Sequence, residues 1–402
     1  MISDLQSLIS VNVRGMKKSA IRELLKLTND PEIISFAGGL PAPETFPKQE
    51  LIGIVKEVIE EQGNQALQYG STEGDTRLRE LIAENYNQEG FNITKDNILI
   101  TTASQQGLDL LAKVFINRGD KVLVGLPSYL GGLGAFNAYG AEMIGIKFDE
   151  HGMRADKLEE KLQELKEKGE KPKFIYIIPD FQNPAGVTIP EQRRREIIDL
   201  ARKYDVLLIE DSPYKQIRFE GEDQESFYSM DGDGQVINLG TFSKIFVPGF
   251  RIGWVIAHPD ILDKFIMAKQ STDLCTSPFV QKIAAKYIEK GYFAKNLKAT
   301  IQNYKEKKEV MMKAFETYLP EGVTWTRPEG GLFLFVTLPE YMDADKLFLK
   351  AIEKKVAFVV GSVFHCDGSG KNTMRINFSY VDKDKNLEGV KRLAEVIKAE
   401  MR

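Results

Sequence analysis

The chain has 402 residues, 43% of them apolar and 28% charged, with 54 Lys and Arg against 58 Asp and Glu and a formal net charge of -4. This composition describes an ordinary globular protein of about two to three domains and excludes a disordered or collagen-like chain. The slight acidity offers no general attraction to a phosphate backbone, so nucleic acid is not an expected partner.

In chain order, the first ten residues (MISDLQSLIS) lack the basic and apolar regions of a signal peptide, and no apolar run reaches membrane-spanning length. A cytoplasmic chain with no membrane contact is expected. Residues 19–27 carry a helical pattern and lead into the Gly/Pro-rich loop FAGGLPAPETFP at 36–47. That arm is expected to join the C-terminal part of the chain.

Short β-branched or aliphatic runs then alternate with amphipathic stretches: 97–101 (NILIT), 121–124, 174–178 (FIYII), 206–209 (VLLI), 236–239 (VINL) and 252–257 (IGWVIA). Runs this short, bounded by Gly, Pro and Asp, predict strands buried on both faces, and the helices between them predict a mainly parallel α/β sheet. The pattern changes near 290–300. A long helix over 292–318 precedes strands at 331–337, 356–360 and 373–378 and a helix over 386–401, which predicts a smaller α+β layer. The expected division is an N-terminal arm with part of the small domain at 1–45, a large domain at 46–295 and a small domain at 296–402.

Five loops that follow strands carry the chemistry. GTFSKIFVPGFRIGW at 240–254 places Thr241, Ser243, Lys244 and Arg251 after a buried strand. Two hydroxyls, an amine and a guanidinium fork predict a phosphate site beside a nucleophilic amine. Taken alone, the Ser-Lys pair also suits serine-lysine hydrolases. VLLIEDSPY at 206–214 runs an apolar strand into Glu210 and Asp211; a carboxylate buried there calls for a cation, such as a protonated pyridine nitrogen.

FIYIIPDFQNPAG at 174–186 delivers Asn183, whose amide can donate to a phenolate-like oxygen, as can the hydroxyl of Tyr214. ITTASQQGL at 100–108 starts a helix at Ala103, Ser104 and Gln105, whose free N–H groups and the Ser104 hydroxyl predict an anion site. LPSYLGGL at 126–133 places Tyr129 where its ring can stack on a flat group. Open α/β sheets bind ligands at this carboxyl edge. The two cysteines, Cys275 and Cys366, and the scattered His151, His258 and His365 have no ligand spacing, so neither a disulfide framework nor a metal is expected.

With these motifs in this order, the chain resembles the fold type I, pyridoxal-phosphate-dependent aminotransferases of class I/II, and within them the 2-aminoadipate and kynurenine aminotransferase branch. The likeness runs from SAIRELLKL and ISFAGGLPAPETFP through LQYGSTEGDTRLRE to RINFSY. It implies pyridoxal 5'-phosphate as cofactor, bound as an imine to Lys244. It further implies Asp211 at the ring nitrogen, Asn183 and Tyr214 at the ring oxygen and Tyr129 stacked on the ring, with Ser104, Gln105, Thr241, Ser243 and Arg251 at the phosphate. Tyr69 in LQYGSTEG would reach the phosphate of a neighbouring subunit, which implies a homodimer with shared sites. Arg375 in MRINFSY would clamp the substrate carboxylate, next to Asn183, while Ser19, Arg22, Gly39 and Leu40 would meet the substrate side chain.

The implied reaction moves an amino group from a 2-aminoadipate-like, aromatic or aliphatic amino acid to a 2-oxo acid such as 2-oxoglutarate, in a ping-pong cycle. A different pyridoxal reaction, such as β-elimination or decarboxylation, remains an alternative, as does an aminotransferase-like regulator, although no DNA-reading module is expected. Three positions depart from the family pattern: Ala103 replaces a frequent glycine, Thr241 a frequent serine, and Ser212 a frequent acidic residue. The spacing from Lys244 to Arg251 is one residue shorter than in typical aspartate aminotransferases.

Overall fold

The computed structural model describes residues 5–16, 30–231 and 234–402. The helical pattern at 19–27, with Ser19 and Arg22, lies outside the described residues. After β1 (Ile34–Ser35), the chain forms β2 (Ile98–Thr102), β3 (Lys121–Leu126), β4 (Glu142–Asp149), β5 (Gly152–Met153), β6 (Phe174–Ile177), β7 (Leu207–Asp211), β8 (Val236–Thr241) and β9 (Ile252–Ile256). The last eight make one sheet in the order β2-β9-β8-β7-β6-β3-β4-β5.

Pairs β3/β4, β3/β6, β6/β7 and β7/β8 are parallel, whereas β9 runs antiparallel to both neighbours. The reversed direction of β9 matters for function. It brings Arg251, just before that strand, to the same edge at which β2, β7 and β8 end, with Thr102 opposite Ile252 and Thr241 opposite Gly253.

Each strand of the sheet centre is buried on both faces, as continuous apolar runs require. One face packs against helices Ala103–Phe115 and Leu130–Ala138, the other against helices Ala155–Glu167 and Glu191–Lys203. Side chains alternate along a strand, so the adjacent carboxylates at the end of β7 face opposite ways. Glu210 accepts hydrogen bonds from the Ser226 hydroxyl, the Phe227 and Tyr228 amides and the Asn238 amide. Asp211 faces Tyr176 on the other side.

The C-terminal strands β10 (Thr324–Trp325), β11 (Phe333–Thr337), β13 (Val359–Val360) and β14 (Thr373–Asn377) form an antiparallel sheet in the order β10-β11-β14-β13. Strand β12 (Val356–Ala357) pairs in parallel with β1, which ties the segment before the 36–47 loop to this part of the chain. Helix Tyr292–Tyr318 has the bounds that its amphipathic pattern predicts, with Thr300, Tyr304, Lys307, Lys308, Met311, Ala314 and Phe315 buried along one stripe. Lys307 enters that stripe because its ammonium reaches Glu44 at 2.6 Å and the Ser379 carbonyl at 2.9 Å.

Candidate active site

The carboxyl edge of the large sheet faces the small sheet, and the charged residues predicted from sequence meet there. The Lys244 amine donates to the Gly39 carbonyl at 2.7 Å, bringing the 240–254 loop against the Gly38–Leu40 segment. Burial, followed by the nearby cations of Arg375 and Arg251, pushes this amine down to about 8. A lysine so placed gives up its proton far more readily than an ordinary lysine, so the neutral amine that a nucleophile or proton acceptor requires is within reach near physiological pH.

Asp211 is 1% exposed and burial pushes its carboxyl up to about 7, against a lowering hydrogen bond from Tyr176. Tyr176 donates to Oδ2 at 2.7 Å, while Oδ1 has no partner. A buried carboxylate oxygen left open is costly, and a cationic N–H donor satisfies it.

Asn183 spans two further groups. Its amide nitrogen donates to the Tyr214 hydroxyl at 3.3 Å, and its amide oxygen accepts from Arg375 at 2.9 Å. Arg375 also donates to the Ala37 carbonyl at 2.8 Å and lies over the Phe333 ring at 4.2 Å. Its Nε is buried without a partner, and burial lowers the guanidinium to about 10. Tyr129 stands close enough to Tyr214 and Arg375 to influence both electrostatically, and its ring covers Gly131, where an added Cβ would lie 2.4 Å from the ring.

The hydroxyl-rich turn is also assembled. Thr241 donates to Ser243 Oγ at 2.8 Å and receives the Ser243 amide at 3.1 Å. The amide of Ala103 donates to the Arg251 carbonyl, and Gln105 reaches the Gly131 carbonyl, so the start of helix Ala103–Phe115 adjoins both loops. Ala103 has φ 59°, the left-handed region that explains why glycine is frequent there in the family. Ser104 is half-buried and Gln105 exposed at this turn.

Two predicted residues stand differently. Leu40, 44% exposed, adjoins the cluster through its carbonyl, which accepts from Ser379. Tyr69 is not among the residues gathered around Lys244: it is 79% exposed and lines a surface groove with Gly70, Ser71, Asp75 and Pro278. Tyr176 was not foreseen. Its signal is a tyrosine inside the apolar run FIYII, whose buried hydroxyl requires a partner.

These groups fit pyridoxal phosphate: an open carboxylate oxygen for the ring nitrogen, an amine of lowered basicity for the aldehyde, and a turn of hydroxyls and N–H groups for the phosphate. Among the described residues, no group of three or more His, Cys, Asp or Glu side chains could hold a metal ion, and no helix is long and apolar enough to cross a membrane.

Such an arrangement defines a class, and the sequence match agrees: the chain belongs to the family described as aminotransferase class I and II, whose model matches residues 41–393. It is an aminotransferase with pyridoxal phosphate as cofactor, built on the α/β fold type I scaffold. The chain is 50% identical to aromatic-amino-acid aminotransferase 1 of Thermococcus litoralis, over 99% of this chain and 96% of that one. It is 39% identical to the 2-aminoadipate transaminase of Thermus thermophilus, over 95% and 94% of the two chains. Its structure matches that of the kynurenine aminotransferase of Pyrococcus horikoshii, solved with PMP and KYN as substrates and KYA as product, with a TM-score of 0.96 and 47% identity, covering 100% of this chain and 99% of that one.

Proposed function

We propose that this aminotransferase takes the amino group from aromatic, 2-aminoadipate-like or aliphatic L-amino acids and delivers it to a 2-oxo acid, with 2-oxoglutarate as acceptor, in a ping-pong cycle. One observation carries the reading most directly: the buried Arg375 guanidinium, with Nε free and Phe333 beneath it, beside Asn183. A planar fork matches the carboxylate common to every amino acid and 2-oxo acid. The side chain is then selected elsewhere, at Gly39, Leu40, Ser19 and Arg22, which suits a broad donor range. The relatives named above, acting on aromatic amino acids, 2-aminoadipate and kynurenine, support the same range.

In this reading, Lys244 Nζ accepts the proton from the substrate α-carbon and returns it on the other side of the transfer. Asp211 Oδ1 holds the ring N–H, Asn183 and Tyr214 orient the ring oxygen, Tyr129 covers the ring, and Ser104, Gln105, Thr241, Ser243 and Arg251 hold the phosphate. When bound, the cofactor supplies the electron sink for charge developing at the α-carbon.

The exposed Tyr69 and Leu67, 79% and 70% accessible, favour a homodimer in which Tyr69 serves the neighbouring site. The pairing of β1 with β12 favours a division into an arm at 1–45, a large domain at 46–295 and a small domain at 296–402. A cytoplasmic location is in keeping with the two free cysteines, Cys275 and Cys366.

Single-turnover kinetics test the function. The holoenzyme is mixed with 2-aminoadipate, glutamate, kynurenine, phenylalanine or leucine, and pyridoxamine phosphate and oxo acid are measured. Stoichiometric pyridoxamine phosphate with acidic and aromatic donors is expected; regeneration of the aldehyde form with loss of a β-substituent or CO2 would establish a different reaction. Mixed dimers of Tyr69→Ala and Lys244→Ala chains should show the pattern of complementation that shared sites require.

A further inference from the structure

Against the 102–105 turn lies a polar cluster that no role above uses. Lys269, at the end of helix Pro259–Gln270, is fully buried. Its ammonium donates to Asp273 at 2.7 and 2.9 Å and to Gln106 Oε1 at 2.8 Å. Gln106 Oε1 also accepts the backbone amide of Thr102 at 2.8 Å, and Gln106 Nε2 donates to Asp273 at 2.7 Å. The Thr102 hydroxyl closes the circuit, donating to Asp273 at 3.1 Å. One glutamine side chain therefore joins the last residue of β2, the first turn of helix Ala103–Phe115 and an ion pair whose lysine is buried and whose aspartate meets solvent.

Taking the Lys269 ammonium out of water carries a desolvation cost, so the arrangement calls for a geometric reason. The turn supplies one. Ala103 holds φ 59°, a conformation that costs a residue with a side chain and persists only where surrounding bonds impose it. The Ala103 amide is fixed by the Arg251 carbonyl, the Ala103 carbonyl by the Thr101 hydroxyl, and the Thr102 amide by Gln106. Of these three restraints, the last is the one backed by a charge pair.

We propose that Lys269 and Asp273, acting through Gln106, are positioning residues that hold the 102–105 turn in the shape that receives the cofactor phosphate. The inference rests on the reading that this turn binds the phosphate. It separates two effects: loss of the cluster weakens recognition of the phosphate and leaves recognition of the ring intact.

The test uses the full chain freed of cofactor and titrated with pyridoxal phosphate and with pyridoxal, which lacks the phosphate. Gln106→Leu removes the link without stranding a charge; it should raise the dissociation constant for pyridoxal phosphate about tenfold and leave that for pyridoxal within about twofold. Equal factors for both ligands, or no change for either, would overturn the proposal. Should Gln106→Leu fail to fold, the neutral pair Lys269→Gln with Asp273→Asn carries the same expectation and the same refutation. Ser104→Ala and Arg251→Gln report on the underlying reading. If they leave the ratio of the two constants unchanged, the phosphate assignment falls and this inference with it. If they raise the dissociation constant for pyridoxal phosphate relative to that for pyridoxal while Gln106→Leu does not, the positioning role alone is refuted.

Discussion

Tyr176 donates its phenolic proton to Oδ2 of Asp211 across 2.7 Å, leaving Oδ1 of the same carboxylate open. The two residues sit on neighbouring strands and share one face of the sheet, with Tyr176 paired to Ile209, two residues before Asp211. The hydrogen bond opposes burial by favouring the ionised carboxylate. Tyr176→Phe should therefore make Asp211 harder to ionise and weaken cofactor binding by about tenfold, the scale of one hydrogen bond to a charged group. Titration of the cofactor-free variant with pyridoxal phosphate measures this, and an unchanged affinity would show that the tyrosine is mere packing.

The same carboxylate makes stability depend on pH. Burial raises Asp211 from 3.8 to about 7, so the folded chain binds this proton more tightly than the unfolded chain does. The contribution is present below the unfolded value and is lost as pH rises through the folded one. Cofactor-free protein should thus lose stability between about pH 4 and pH 7 through this group, and Asp211→Asn should flatten that part of the profile. Urea unfolding of both proteins across the window decides it; parallel profiles would mean that Asp211 is not the source.

Arg375 makes two directed bonds, to Asn183 and Ala37, and keeps Nε free above Phe333. A lysine at this position carries the charge without the fork. Arg375→Lys should raise KM for amino donor and oxo acid alike by at least about tenfold, consistent with the loss of a bidentate contact. Steady-state kinetics with both substrates would expose an error if KM stayed the same.

Gly253 in β9 faces the turn that starts helix Ala103–Phe115. A Cβ there would lie 2.5 Å from the Ala103 carbonyl carbon and from the Ser104 nitrogen, both backbone atoms. Gly253→Ala must displace the turn, at about 1–3 kcal/mol of stability, the range for overpacking. Denaturant unfolding gives the loss directly, and a variant as stable as the parent would show that the turn is free to move.

Much of this site was legible because chemistry-bearing residues followed buried apolar runs. FIYII, VLLI and VINL coincide closely with strands whose ends carry Asn183, Asp211 and Lys244 into one edge. Other features leave no such trace. Strand β4 is half-exposed along EMIGIKFD, so it lacks the continuous apolar run that marks its neighbours. The reversed direction of β9 is invisible to periodicity, which reports faces and not direction. Glu210 and Asp211 are adjacent acids in sequence, and only the strand's alternation with its surroundings separates the capped one from the one left open. The role proposed for Tyr69 rests on family likeness, since within one chain it is a surface tyrosine.

The account stands most directly on the site of covalent attachment. Reduction of the holoenzyme with borohydride, followed by proteolysis and mass mapping, should place the phosphopyridoxyl mass on the peptide containing Lys244, with the label absent from Lys244→Ala protein and turnover lost in that variant. A label on a different lysine, or turnover near that of the parent in Lys244→Ala, would contradict it.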